Sequence, residues 1–136
     1  LGHARGAFER ALAFCRCTRI GSKRLIDMQE YQIELADMAI SLLSARSLVW
    51  HASKRMVANQ SLSAAAKVCG SDVAFKVCSQ AMEIMGDHGY LHSESVERAW
   101  RDSRLTQIYE GTNQINRLAV IEQQWRCEID CASEGR

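Results

Sequence analysis

Apolar side chains recur every three or four positions through most of the chain, and this is the spacing of one face of an α-helix. The first periodic stretch runs from Ala4 to Thr18, and a second, longer one runs from Leu25 to Val57. At a rise of about 1.5 Å per residue, the second stretch predicts a helix on the order of 50 Å long. No window keeps the two-residue period of a strand for more than a few positions, so we expect an all-α fold.

A polar break, Asn59–Ser61, precedes the third periodic stretch, and Ser61 is its expected N-cap. This third helix is expected to continue to Gly86. The run Gly86–Tyr90 contains two glycines, which favour positive backbone φ angles, so it predicts a turn.

Two further periodic stretches follow that turn. A short helix is expected from Ser95 to Ile108 and a last helix from Gly111 to residue 126, so that residues 1–126 form one domain. The polar segment 127–136 is expected to be a fraying tail. Long amphipathic helices joined by short loops pack as antiparallel neighbours. The predicted fold is therefore an up-and-down four-helix-type bundle with a short extra helix.

Composition and charge narrow the function classes. The 136 residues are 47% hydrophobic, which suits a single domain with one core. The formal net charge is +1, so the chain lacks the basic field that draws a protein to nucleic acid. No window approaches the uncharged apolar length of a membrane span, so we expect no membrane insertion. The chain begins without Met and directly in a helical pattern, and we expect it to be a piece of a longer protein.

Six cysteines occur without a C-x-x-C pair, so we expect reduced thiols in a soluble intracellular protein. Cys127 and Cys131 are the cysteines with a ligand-like spacing, and His88 and His92 are also four apart but lie in or beside the glycine-containing turn. Zinc needs four converging ligands. We therefore expect no metal site.

The candidate chemistry lies near the end of the chain. Glu110 stands where one predicted helix ends, Gly111 leaves room for a ligand, and the next helix begins with free backbone N–H groups. A carboxylate beside such a glycine suits a general base. Local chemistry alone favours a structural alternative, with a solvated loop residue at Glu110, a C-cap at Gly111 and an N-cap at Thr112.

The run QIYEGTNQINRL, which contains Glu110, is preceded by RDSRL and, further back, by the GDHGY turn. In this order and at these distances, the motifs resemble the C-terminal helical domain of the acyl-CoA dehydrogenases, especially the short- and medium-chain type. The resemblance extends from the first helix, including the stretch from Gly21 to Gln29, to about Trp125. A match of this length is more specific than a single short motif.

The resemblance implies an FAD-dependent enzyme that oxidises an acyl-CoA thioester to the trans-2-enoyl-CoA. In this family a Glu removes the α-proton, the β-hydrogen leaves as hydride to the flavin, and electron-transferring flavoprotein takes the electrons. The Y-E-G-T motif implies that the catalytic base is Glu110 and that Gly111 lies against the thioester. A carboxylate that a ligand screens from water is a more effective base. The positions that the resemblance assigns to FAD binding are Arg19, Gln29, Gly86, Thr112, Asn113 and Gln114.

The first departure from the family lies after the first helix. The family's R-x-x-F-G pattern puts its Arg on the FAD pyrophosphate of a neighbouring subunit. Here the Arg, Phe and Gly positions hold Thr18, Gly21 and Ser22, so Arg16 or Arg19 would have to substitute.

The second departure lies at the end of the third helix. The family's Q-I-F-G-G reads E-I-M-G-D here, so Glu83 and Asp87 bring two carboxylates near the pyrophosphate position. Like charges repel, by amounts that depend on burial. Two interpretations stay open: FAD binds in a different way, or it binds more weakly.

The family's complete subunit also has an N-terminal helical domain and a middle β-domain, and its CoA-contacting D-x-x-R segment would precede Leu1. We therefore expect an incomplete active site in this chain and, by resemblance, a homo-oligomer, a tetramer, in the cytoplasm or the mitochondrial matrix. The alternative is a noncatalytic helical interaction module descended from that domain. The intact motif around Glu110 favours the enzyme, whereas Thr18, Glu83 and Asp87 favour the module.

Overall fold

The computed structural model describes residues 1–54 and 59–134, with side chains for all of these except residues 124 and 126–134. Most of this part is helical. Its elements are α1 (Gly2–Cys17), the strands β1 (Arg19–Ile20) and β2 (Lys23–Arg24), α2 (Gln29–Ser53), α3 (Gln60–Met85), α4 (Val96–Leu105) and α5 (Asn113–Glu134). Short 3-10 turns connect them at Leu25–Asp27, Gly86–Tyr90 and His92–Glu94.

α3 is the central helix of the bundle, and it packs against α1, α2, α4 and α5. Its buried side chains extend over its whole length and include the fully buried Val77, Cys78 and Ala81. α1 meets it through a stripe of small side chains at helical spacing: Ala4, Ala7, Ala11 and Cys15, all fully buried. Small side chains at the contact let two helix axes come close together.

α2 and α3 run antiparallel. Val49, near the end of α2, lies beside Gly70 in the first half of α3, where a Cβ would come within 3.8 Å of Val49 Cγ2. This is the arrangement that short loops favour.

α4 and α5 lie end to end along α3, and both run antiparallel to it. Trp100 Nε1 in α4 donates to Ser79 Oγ at 2.9 Å, and the Ser61 amide at the start of α3 donates to Gln123 Oε1 in α5 at 3.0 Å. The fourth position of the bundle is thus filled by two consecutive helices. This confirms the predicted all-α, four-helix-type bundle with a short extra helix.

The hairpin was not expected. β1 and β2 pair antiparallel, Arg19 with Arg24 and Ile20 with Lys23, around Gly21 at φ 60°. Strands of two residues are too short to leave a periodic signal in the sequence.

The N-cap of α3 is Asn59 rather than Ser61. Asn59 Oδ1 accepts a hydrogen bond from the Leu62 amide at 2.9 Å, whereas Ser61 is already inside the helix and 9% exposed. Both side chains are good caps, so the sequence alone did not separate them. The expected end of the second helix, Val57, lies outside the described residues.

The predicted turn at Gly86–Tyr90 is present, but its two glycines serve different purposes. Gly86 has φ 52°, as expected. Gly89 is buried, and a Cβ there would lie 3.0 Å from the Met82 carbonyl oxygen. Gly89 is therefore needed for close packing of the turn on α3.

The last two helices end at other residues than expected. α4 ends at Leu105 rather than Ile108, and the backbone of α5 stays helical to Glu134, past the expected start of the tail. The side chains of Cys127 and Cys131 lie outside the described part. Of the cysteines inside it, Cys15, Cys17, Cys69 and Cys78 are free thiols. Within the described residues, no helix combines the length and the apolar character that crossing a membrane requires.

Candidate active site

The loop 106–112 separates α4 from α5 and carries Glu110. It begins with tight turns, in which the amides of Ile108 and Tyr109 donate to the Leu105 carbonyl at 3.0 and 3.2 Å. Glu110 and Gly111 then take φ angles of 53° and 85°. A positive φ costs a residue with a Cβ about 1 to 3 kcal/mol and persists only where the surroundings enforce it. Glu110 therefore has a strained backbone that its neighbours must hold in place.

Hydrogen bonds to α3 close this loop. The Asn113 amide donates to the Gln107 carbonyl at 3.0 Å and joins the two ends through the backbone. The side chains of Gln107 and Asn113 also share one acceptor on α3. Gln107 Nε2 and Asn113 Nδ2 donate to Asp72 Oδ1 at 2.8 and 2.7 Å. Asp72 Oδ2 accepts from Arg117 at 2.6 Å. One carboxylate thus ties both ends of the loop and the start of α5 to α3.

The carbonyl of Gly111 is held from two sides. Lys67 Nζ donates to it and to Asn113 Oδ1, each at 2.7 Å, and Asn116 Nδ2 donates to it at 2.9 Å. A Cβ at position 111 would lie 3.1 Å from that Nδ2. Glycine is required here by its φ angle and by the close approach of the amide.

Glu110 is exposed and lines a cleft of about 290 Å³ between the loop and the bundle. The start of α1, the end of α2 and the first half of α3 form the other walls. Lining side chains include His3, Val49, Lys67, Ala74 and Tyr109. An ionised carboxylate is a hydrogen-bond acceptor, so one at a cleft can take a proton from a molecule bound there.

The first residues of α5 are largely occupied with the helix itself. Thr112 Oγ1 accepts from the Ile115 amide at 3.4 Å and so acts as N-cap. The Asn113 side chain is buried, and both its oxygen and its nitrogen bond to α3. Gln114 is exposed. We expected free backbone N–H groups at this helix start, but the amides of Asn113 and Ile115 both donate hydrogen bonds within the chain. A structural role therefore explains Asn113 without any cofactor.

Three predicted cofactor positions lie at the other end of the bundle: Arg19 in the hairpin, Gln29 at the start of α2 and Gly86 after α3. The Phe14 ring near the end of α1 lies 5.2 Å from the ring of His88, so the end of α1 adjoins the turn after α3. Lys67 and Gly86 are about 28 Å apart along the axis of α3. The structure therefore separates these residues from Glu110.

This far end exposes groups of both charges. Arg19 is exposed and donates one bond to the Ser22 carbonyl at 2.9 Å. Arg24 makes two 2.9 Å bonds to Asp27, and these hold the pKa of the Asp27 carboxyl below its ordinary value. The carboxylates of Glu83 and Asp87 are exposed as well.

Residues 1–124 match the family model of the acyl-CoA dehydrogenase C-terminal domain. The chain belongs to the acyl-CoA dehydrogenase family. The short-chain specific mitochondrial acyl-CoA dehydrogenase of Bos taurus is 38% identical over 125 residues, which cover 88% of this chain and 30% of the relative. Cyclohexane-1-carbonyl-CoA dehydrogenase of Geobacter metallireducens is 36% identical over 129 residues, 90% of this chain and 33% of that one.

Solved structures agree with the family assignment. Butyryl-CoA dehydrogenase of Megasphaera elsdenii superimposes with a TM-score of 0.87 at 33% identity, over 91% of this chain and 33% of the other. The chain thus spans about a third of the length of the acyl-CoA dehydrogenases it matches.

Sequence reasoning missed three residues of this acyl-CoA dehydrogenase domain that hold the loop: Lys67, Ser71 and Asp72. Ser71 Oγ lies 2.8 Å from Asn113 Nδ2 and completes the contact with α3. The available signal was a group of polar side chains within the apolar pattern of a central helix. Buried polar groups require partners, so such a group points to an element that must dock there.

Proposed function

We propose that this chain is the C-terminal helical domain of an FAD-dependent acyl-CoA dehydrogenase in which Glu110 removes the α-proton of an acyl-CoA thioester. The observation that carries the proposal is a carboxylate at a cleft, on a strained loop that α3 holds in place. Relatives that act on short acyl-CoA thioesters by name support this substrate class. Because the chain spans about a third of those relatives, the proposal concerns the enzyme that contains this domain.

The residues of the loop have different roles in the proposed reaction. Glu110 accepts the α-proton, and Gly111, which the resemblance places against the thioester, is held by Asn116 so that the backbone beside the base keeps its shape. The neighbouring Tyr109 and Thr106 line the same cleft and form its wall on the side of the loop. Holding the base at a fixed distance from the reacting carbon lowers the entropic part of the barrier.

The far end of the bundle has groups that fit the diphosphate of FAD. Arg19 offers an exposed guanidinium, Gln29 an exposed amide, and Gly86 has open space where a Cβ would stand. When bound, FAD supplies the acceptor for the β-hydrogen. The distance of about 28 Å from the Glu110 loop supports a flavin held between two copies of the domain, in which one copy contributes its far end and the other its base.

A second candidate is the noncatalytic interaction module, and one observation favours it. Large apolar side chains are exposed in rows on two helices of the bundle: Ile33, Ile40, Leu43 and Trp50 on α2, and Ile115, Leu118, Ile121 and Trp125 on α5. Such faces are typical of assembly surfaces. A tetramer of the enzyme, with electron-transferring flavoprotein as its electron acceptor, accounts for the same faces.

Replacing the base tests the proposal. In the holoenzyme that contains this domain, Glu110→Gln keeps the size of the side chain and removes the proton acceptor. We expect the rate of flavin reduction by butyryl-CoA to fall about 10² to 10⁴-fold, with FAD content unchanged. Stopped-flow absorbance of the flavin measures the rate.

The matched control is Glu94→Gln, a carboxylate in the 3-10 turn before α4. It should reduce flavin at the unmodified rate. An unmodified rate in the Glu110→Gln protein would refute the assignment of the base and leave the interaction module as the better hypothesis.

A further inference from the structure

The place of Glu110 depends on what holds its loop. The side chain is exposed and its φ angle is 53°, so the backbone around it must be kept from relaxing. The loop lies at the surface between two helices, and its ends at Gln107 and Asn113 are joined by one backbone hydrogen bond. Whatever fixes these two ends fixes the base.

Asp72 contacts both ends with one atom. Its Oδ1 accepts from Gln107 Nε2 at 2.8 Å and from Asn113 Nδ2 at 2.7 Å. The other α3 contacts reach one side of the loop: Lys67 bonds Gly111 and Asn113, and Ser71 bonds Asn113. In the described part of the chain, Asp72 is therefore the α3 residue that closes the loop.

The charge of Asp72 is balanced locally. Its Oδ2 pairs with Arg117 at 2.6 Å, one turn into α5. Hydrogen bonds to an ionised acceptor are shorter and stronger than neutral ones. A carboxylate at this position thus holds two neutral amide donors and one cation at once, and α5 is aligned by the same group that closes the loop.

We propose that Asp72 is a positioning residue for Glu110: its Oδ1 atom keeps the loop closed by accepting hydrogen bonds from both ends, so that the base stands at a fixed place beside the cleft. This inference rests on the proposed role of Glu110 as the base. Asp72 is not among the described residues that line the cleft, and it acts through Gln107 and Asn113.

The first test measures the loop itself in the 136-residue chain. Amide hydrogen exchange should become at least ten-fold faster at Asn113 in Asp72→Ala, because the closing bond to Gln107 loses its support. The amides in the middle of α1 should exchange as before, since α1 lies outside this network. The matched control is Asp102→Ala, which removes a carboxylate of similar exposure, 44% against 39%, from an ion pair with Arg98 on α4.

A conservative variant separates the effect of the shared acceptor oxygen at position 72 from the effect of its negative charge. Asp72→Asn keeps an oxygen that can accept from both Gln107 and Asn113 but loses the attraction to Arg117. We expect exchange at Asn113 to stay within about three-fold of the unmodified chain. Exchange in Asp72→Asn as fast as in Asp72→Ala would mean that the charge, and not the shared acceptor, closes the loop, and would overturn the proposal as stated.

The second test measures the chemical step in the holoenzyme that contains this domain. Asp72→Ala should lower the maximal rate of flavin reduction by butyryl-CoA about 10- to 100-fold, because a misplaced base reacts slowly. The Kd for butyryl-CoA and the FAD content should stay unchanged, and the isotope effect with α-deuterated butyryl-CoA should increase. A merely structural role would reduce the fraction of active enzyme and leave the rate constant and the isotope effect as they were.

The outcomes distinguish this inference from the proposed function. A normal rate in Asp72→Ala together with a slow Glu110→Gln enzyme would refute the positioning role alone. A normal rate in Glu110→Gln would refute the base itself and, with it, this inference. Unchanged amide exchange at Asn113 in Asp72→Ala would refute the positioning role without reference to any activity.

Discussion

Cys78 lies in the middle of α3 with its side chain fully buried. Burial raises the pKa of its thiol from 9.0 to about 11, and a hydrogen bond with Ser103 offsets part of the increase. Between pH 9 and pH 11, the Cys78 thiol is deprotonated in the unfolded chain but still protonated in the folded chain. The contribution of this thiol to the free energy of unfolding is therefore complete below pH 9 and is lost as the pH approaches 11.

We expect the free energy of unfolding to fall by up to about 1.4 kcal/mol per pH unit in this window because of Cys78. Urea denaturation of the chain between pH 8 and 11 measures the slope, and Cys78→Ala should remove this part of it. Cys17→Ala, at an exposed cysteine, should leave the slope as it was. An identical slope in the chain and in Cys78→Ala would contradict the prediction.

The candidate site was predictable from sequence only where its residues are neighbours in the chain. Glu110, Gly111 and Thr112 form one local motif, and the N-cap role of Thr112 follows from its residue type. Asp72 joins the site from 35 to 45 positions away. Its role depends on which turn of α3 faces the loop, and periodicity does not give that register.

At the scale of elements, the helices were predictable because each buries one apolar face along its length. Their ends and the connections were less so. The hairpin has two-residue strands. The N-cap of α3 was predicted at Ser61, but the Asn59 side chain caps the helix and the Ser61 amide bonds to Gln123 instead. Gly89 was expected for its φ angle, whereas the structure requires it for packing.

The packing role of Gly89 can be tested with one methyl group. In Gly89→Ala the added Cβ would lie 3.0 Å from the carbonyl oxygen and 3.1 Å from the Cα of Met82, and backbone cannot move aside as a flexible side chain does. We expect a loss of about 1 to 3 kcal/mol in the free energy of unfolding. Thermal unfolding followed by circular dichroism measures it.

Gly2→Ala is the control, because a Cβ there meets nothing within 4 Å. Its stability should differ from that of the chain by less than about 0.5 kcal/mol. If the two variants unfold at the same temperature, the turn Gly86–Tyr90 adapts to the methyl group and the tight contact with α3 is not required.

The far end of the bundle carries a prediction about cofactor affinity. Glu83 and Asp87 are exposed there, and a charge a few Å from a phosphate costs on the order of 1 to 4 kcal/mol at a partly solvated site. In the flavin-stripped enzyme that contains this domain, Glu83→Gln with Asp87→Gly should therefore tighten FAD binding by about ten-fold or more. Isothermal titration measures the affinity.

Glu9→Gln, on α1, is the control and should leave FAD affinity unchanged. An unchanged or weaker affinity in the double variant would mean that the two carboxylates point away from the diphosphate or are balanced by cations. Arg16 and Arg19 are the candidates for that balance. The interpretation of weakened cofactor binding would then be wrong, and a different mode of binding would remain.

At the scale of the whole molecule, the bundle buries one face of α2 and leaves a second apolar face in water. Ile40 and Leu43 are 60% and 64% exposed, and Trp50 continues the row at 59%. α5 adds Leu118 at 61%. Soluble monomers rarely expose contiguous apolar rows of this kind, so the second face of α2 needs a partner surface.

We expect the chain to self-associate through these faces, with an interface of about 1,200 to 2,000 Å² in total. Multi-angle light scattering at tens of micromolar protein should give a mass above the 15.3 kDa of one chain. Ile40→Lys with Leu43→Lys places two charges on the α2 face and should shift the population to monomer. Ile20→Lys, at a hairpin residue that is 58% exposed outside that face, should leave the mass unchanged. A monomer at high micromolar concentration would contradict both the enzyme tetramer and the interaction module, since each needs these faces covered by another copy of the chain.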